Sequence, residues 1–169
     1  MKSLWNNSFS EMPINNPKEI IEEQCKLLAN MTSSLVFGRI SEYDGETHSS
    51  YTSAKLLSLN PFESSPFSVQ SVLGEVDENN RGKFVYEFFL TSKKTPKYKY
   101  RVSFIEYGIE FYPVTVILAE SIANEINQNL NTSGYVYSCE SEEKFVELLS
   151  LILSSKKVTD VISALLTIR

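Results

Sequence analysis

The sequence predicts an α+β domain: a single antiparallel sheet of four to six strands, with an N-terminal helix and two or three C-terminal helices packed on one face. Three observations predict it. Helical periodicity is confined to the two ends of the chain, alternation with a period of two fills the middle, and 169 residues with 42% apolar types suffice for one core but not two. Strands and helices segregated in this way point to one sheet covered by helices, with no linker or repeat dividing it. Residues 16–169 are read as that domain, and residues 1–15 as an arm without periodicity, pinned by Leu4, Trp5 and Phe9.

The first helix is signalled from Asn16, which can cap. Pro17 suits the first helical position, and Glu19 falls three residues after the cap. Ile20, Ile21, Leu27, Leu28 and Met31 then recur at helical spacing. Leu35–Ile40 reads as a strand, ended by Asp44-Gly45. Residues 45–66 are rich in Ser and carry Pro61 and Pro66, so a long loop is expected there, with a helical turn at 54–59.

Sheet signals follow. Phe67–Val76 and Lys83–Thr91 flank a turn, and Phe84, Tyr86, Phe88 and Leu90 alternate with Val85, Glu87, Phe89 and Thr91. A second alternating run places Tyr98, Tyr100, Val102 and Phe104 on one side, with Lys99, Arg101, Ser103 and Ile105 on the other. Val114–Leu118 resumes the extended pattern after Pro113, a residue suited to a strand end, an edge or a bulge. Ala119, Ile122, Ala123, Ile126 and Leu130 return to helical spacing, and Tyr135–Tyr137 is a short strand. Ser141 caps a further helix, with Glu142 and Glu143 in its first turn, where the helix dipole favours them. Ser154–Lys157 separates it from a last helix carrying Val158, Val161, Ile162, Leu165 and Leu166.

Composition narrows function. No stretch approaches the ~20 apolar residues of a membrane span. The start of the chain lacks the apolar region of a secretory signal, and Cys25 and Cys139 make no disulfide framework, so a cytoplasmic protein with reduced thiols is expected. There is no phosphate-binding glycine loop, dinucleotide fingerprint or nucleophile elbow, and no zinc spacing. The single imidazole, His48, sits in the Ser-rich loop. No cofactor is expected.

Charge is unevenly placed. Between Arg81 and Arg101 lie Arg81, Lys83, Lys93, Lys94, Lys97, Lys99 and Arg101, opposed only by Glu87. That segment carries +6 against a whole-chain charge of −5, so the remainder carries −11. In a flat strand Lys97, Lys99 and Arg101 would stand in a row about 7 Å apart, suited to phosphates or an acidic protein surface. Lysines on exposed strands also keep sheet edges from pairing with other chains.

The expected function is a non-catalytic binding or accessory protein of inhibitor, immunity or chaperone type. Its basic hairpin would recognise another protein or an anionic small molecule. Nucleic acid is less favoured given the acidity, no membrane is expected, and a homo-oligomer is compatible with the patchy charge. The alternative is a metal-dependent phosphoesterase or nuclease using the sheet carboxylates Glu87, Glu106 and Glu110. Against it, those carboxylates read as solvent-facing strand residues, with Glu87 paired across strands to Lys99 or Arg101.

Overall fold

The computed structural model describes residues 14–45, 47, 82–130 and 133–168. Helix α1 (Pro17–Met31) leads to strands β1 (Val36–Glu42), β2 (Phe84–Ser92), β3 (Tyr100–Tyr107) and β4 (Val114–Leu118). Helix α2 (Glu120–Leu130), strand β5 (Val136–Cys139), and helices α3 (Glu142–Ser154) and α4 (Lys156–Thr167) complete the order. The strands form one five-stranded antiparallel sheet in sequence order, so the expected fold class is the one observed. The expected helical turn at 54–59, the strand 67–76, and the arm up to residue 13 lie outside the described residues. Among the described residues no helix is long and apolar enough to cross a membrane.

Local chemistry accounts for the helix ends. Asn16 Oδ1 accepts from the Lys18 N–H at 3.0 Å and from the Tyr107 hydroxyl at 2.7 Å, tying the start of α1 to the end of β3. At the other end, the Ser33 N–H reaches the Asn30 carbonyl and the Ser34 N–H reaches the Ala29 carbonyl. That is a Schellman closure, and it places Ser33 at φ 49°, the position usually given to glycine. Ser155 both ends α3 and caps α4, accepting from the Val158 N–H at 3.3 Å. Glu125 of α2 adds a carboxylate at the same helix start, accepting from the Lys156 N–H at 2.6 Å.

The core lies between one sheet face and the helices. Val36, Tyr86, Phe88, Leu90, Ile105, Tyr107, Val114, Val116 and Leu118 meet Ile21, Ile122, Ile126, Phe145, Leu149, Ile152 and Val158 there.

The register of β2 and β3 corrects the face assignment made from alternation. Phe88 pairs with Ser103 but Phe89 pairs with Arg101, so Val102 is an extra residue in β3. The bulge turns Arg101 onto the face of Phe104 and Glu106, and Tyr100 onto the core face with Ile105 and Tyr107. A second correction concerns the carboxylates. Glu87 and Glu106 are not solvent-facing: they are 4% and 3% exposed, on a face where Phe89, Thr91 and Ile117 are buried too.

Candidate functional site

The basic residues fall into three groups. Lys99 and Arg101 converge on Glu87: the Arg101 Nε–H donates to Glu87 Oε2 at 2.8 Å, and the Lys99 ammonium donates to Oε1. The Ser41 hydroxyl adds a bond to Oε1 at 3.2 Å. Burial pushes the Glu87 carboxyl up, but these donors outweigh it and hold the group below the ordinary glutamate value. Lys99 also lies over the Phe89 ring, and Arg101 beside the Tyr43 and Phe104 rings. Lys93, Lys94 and Lys97 occupy the β2–β3 connection, all exposed and none ion-paired among the described residues. Lys83 precedes β2, roughly 30 Å of strand from Lys93. Arg81 lies outside the described residues.

The expected row is therefore divided. Strand β3 opens at Tyr100, so Lys97 and Lys99 precede it and only Arg101 projects from a paired strand position. The cross-strand pairing of Glu87 foreseen from sequence is present, and it neutralises one positive charge at the centre of the segment.

The acidic candidates diverge as well. Glu106 lies diagonally across from Glu87 and accepts from the Thr47 hydroxyl, while Glu110 is exposed in the turn after β3. Among the described residues no group of three or more His, Cys, Asp or Glu is arranged to hold a metal ion.

Among the described residues, the helical side carries a developed concavity. A groove of about 730 Å³ runs between α1 and the α3–α4 pair. Its floor is Gly38, Phe88 and Leu90; one wall is Ile20, Leu27, Leu28 and Met31; the other is Val146, Leu149, Leu153 and Ile162. Hydroxyls of Thr32, Ser150, Ser154, Thr159 and Ser163 and the amide of Gln24 provide the polar atoms, and no charged residue lines it. Large apolar side chains stand open at its mouth: Met31 is 83% exposed, Leu27 47% and Val146 44%.

Gly38 lets α1 settle close to β1, since a Cβ there would lie 2.7 Å from Cys25 Sγ. Burial, with the nearby Glu22 carboxylate adding to it, pushes the Cys25 thiol up to about 12. Cys25 is thus a neutral thiol in the groove wall, not a nucleophile at neutral pH.

Sequence reasoning missed this groove. The available signal was the breadth of the apolar arc on α1. At 100° per residue Ile21, Cys25 and Leu28 form the line that meets the sheet, and Ile20, Leu27 and Met31 form a second line beside it. Val146 extends the stripe of α3 in the same way.

No protein-family model, curated protein or solved structure matches this chain.

Proposed function

We propose that this is a non-catalytic binding or accessory protein whose recognition site is the groove between α1 and the α3–α4 pair. The observation that carries the reading is an uncharged groove of about 730 Å³ with three large apolar side chains left open to water at its mouth. That volume falls within the ~300–1,000 Å³ range of sites that bury an apolar ligand, and a few polar atoms at the wall suit orientation more than catalysis. Scattered exposed apolar residues are ordinary, whereas a contiguous set around a concavity favours binding.

An environment-sensitive naphthalene dye tests it. The wild-type chain should enhance the dye's fluorescence, and the triple variant Leu27→Ser, Met31→Ser, Val146→Ser should lose most of that enhancement. All three side chains are exposed, so the variant keeps its fold. Absence of enhancement in the wild type, or equal enhancement in the variant, overturns the reading.

The hairpin lysines support a second contact. Lys93, Lys94 and Lys97 form a basic tip suited to an acidic surface of the same partner or to an anionic ligand. The phosphoesterase reading is less favoured by the geometry: both oxygens of Glu87 are taken by cations and Glu110 stands away in a turn.

A further inference from the structure

Resting on that reading, we infer that the occupant of the groove is an amphipathic helix of a partner protein, apolar on one face and carrying Lys or Arg along its flanks. Length and shape come first. From Ile20 to Met31 the α1 wall runs about 17 Å, the span of roughly 12 helical residues. Helical walls on both sides of an apolar floor suit anchors spaced three and four residues apart, the mode in which a helix is laid into a groove.

Charge selects the flanks. Glu23 borders the apolar line Ile20–Leu27 on α1, three residues from Ile20 and four from Leu27. Glu143 and Glu147 border Val146 and Ser150 on α3 in the same manner. All three are exposed, and among the described residues none is ion-paired. The cations of the walls do not offset them. Lys18 is paired to Glu22 at 3.7 Å, Lys26 and Lys144 lie three or four residues from none of the lining positions, Lys156 is paired to Asp160 at 2.6 Å, and Lys157 sits beside the Tyr100 ring. An uncharged apolar trough with Glu23 on one flank and Glu143 and Glu147 on the other complements a cationic amphipathic helix and repels an acidic one.

A second copy of this chain fits less well. Helices α1, α2 and α3 are each net negative. The remaining helix, α4, has already buried Val158 and Leu165 in its own core.

The test titrates the full chain with three labelled peptides of about 18 residues, read by fluorescence anisotropy. One is a Leu/Lys amphipathic helix, one is its Leu/Glu counterpart with the same apolar face, and one is a scrambled Leu/Lys sequence without such a face. Only the amphipathic Leu/Lys peptide should bind. Its affinity should fall about tenfold between low and physiological salt. Glu23→Gln, Glu143→Gln and Glu147→Gln together should weaken it by a similar factor while dye uptake stays unchanged.

Equal binding of the Leu/Glu or scrambled peptide overturns the inference. So does dye uptake without any peptide binding, which assigns the groove to a small apolar molecule. A dimer in sedimentation that the Leu27, Met31 and Val146 variant dissociates assigns it to a second copy, and also overturns the inference. Failure of both dye and peptides removes the underlying reading itself.

Discussion

The Glu87 cluster makes an asymmetric prediction. Glu87 is buried with a side chain 6% exposed, whereas the side chains of Lys99 and Arg101 are 46% and 53% exposed. Replacing Glu87 by Gln leaves two cations that turn toward water. The loss is one set of charge-assisted hydrogen bonds discounted for screening, about 1 kcal/mol. Replacing both Lys99 and Arg101 by Met keeps unbranched side chains at both positions but strands a buried carboxylate with Ser41 alone. That resembles breaking a buried pair from the costly side and should remove about 3 kcal/mol at pH 7.

The pH dependence separates the two variants further. In the wild type Glu87 titrates below its ordinary value. Its stabilisation is therefore present above the unfolded-state value of about 4.3 and is lost as the pH falls through the lower folded-state value. In the double variant burial is opposed by the Ser41 hydrogen bond alone and raises the folded-state value. Its deficit should shrink as acid protonates Glu87, so the gap between double variant and wild type narrows from pH 7 to pH 4. Urea unfolding of the three proteins at both pH values measures this. A Glu87→Gln loss larger than that of the double variant at pH 7, or a gap that widens in acid, would show that Lys99 and Arg101 do not hold a buried, ionised Glu87.

Other expectations follow from single positions. Ser33→Gly should raise unfolding free energy by about 0.5–1 kcal/mol, because Ser33 closes α1 at positive φ; a lower urea midpoint would contradict it. Gly38→Ala should cost about 1–3 kcal/mol through contact with Cys25 Sγ, and Cys25→Ala in the same chain should recover part of it. A double-mutant cycle showing purely additive losses would argue against that contact. The Cys25 and Cys139 thiols, raised to about 12 and about 11 mainly by burial, should react far more slowly at pH 8 with an aromatic disulfide reagent than the same thiols in urea. Equal rates would refute the burial of both.

The sequence showed its elements most clearly where a local signal acts alone. Asn16-Pro17 and Ser141 place helix starts within a residue, because a cap is a property of a few neighbouring atoms. The alternation Phe84–Leu90 identified a core face for the same reason, and Glu87 found its cross-strand partners. Alternation failed at Val102, where a bulge inserts a residue that no period announces. It also failed for the burial of Glu87 and Glu106, because exposure depends on what lies over a strand, not on its own pattern. The groove was hidden for a related reason. Ile20, Leu27 and Met31 read as core residues of one helix, and only the distance between α1 and the α3–α4 pair leaves them open. Residues 48–81 lie outside the described residues, so the reading of that Ser-rich segment stands as an expectation.

Recognition through the groove is tested most directly by amide spectra of the isotope-labelled full chain titrated with the Leu/Lys helix. Shifts should concentrate in 20–31 of α1, at Gly38, and in 146–154 of α3, while the 93–97 connection stays unmoved by this cationic peptide. Shifts confined to the opposite sheet face, around Ser41, Phe89 and Arg101, would contradict the account.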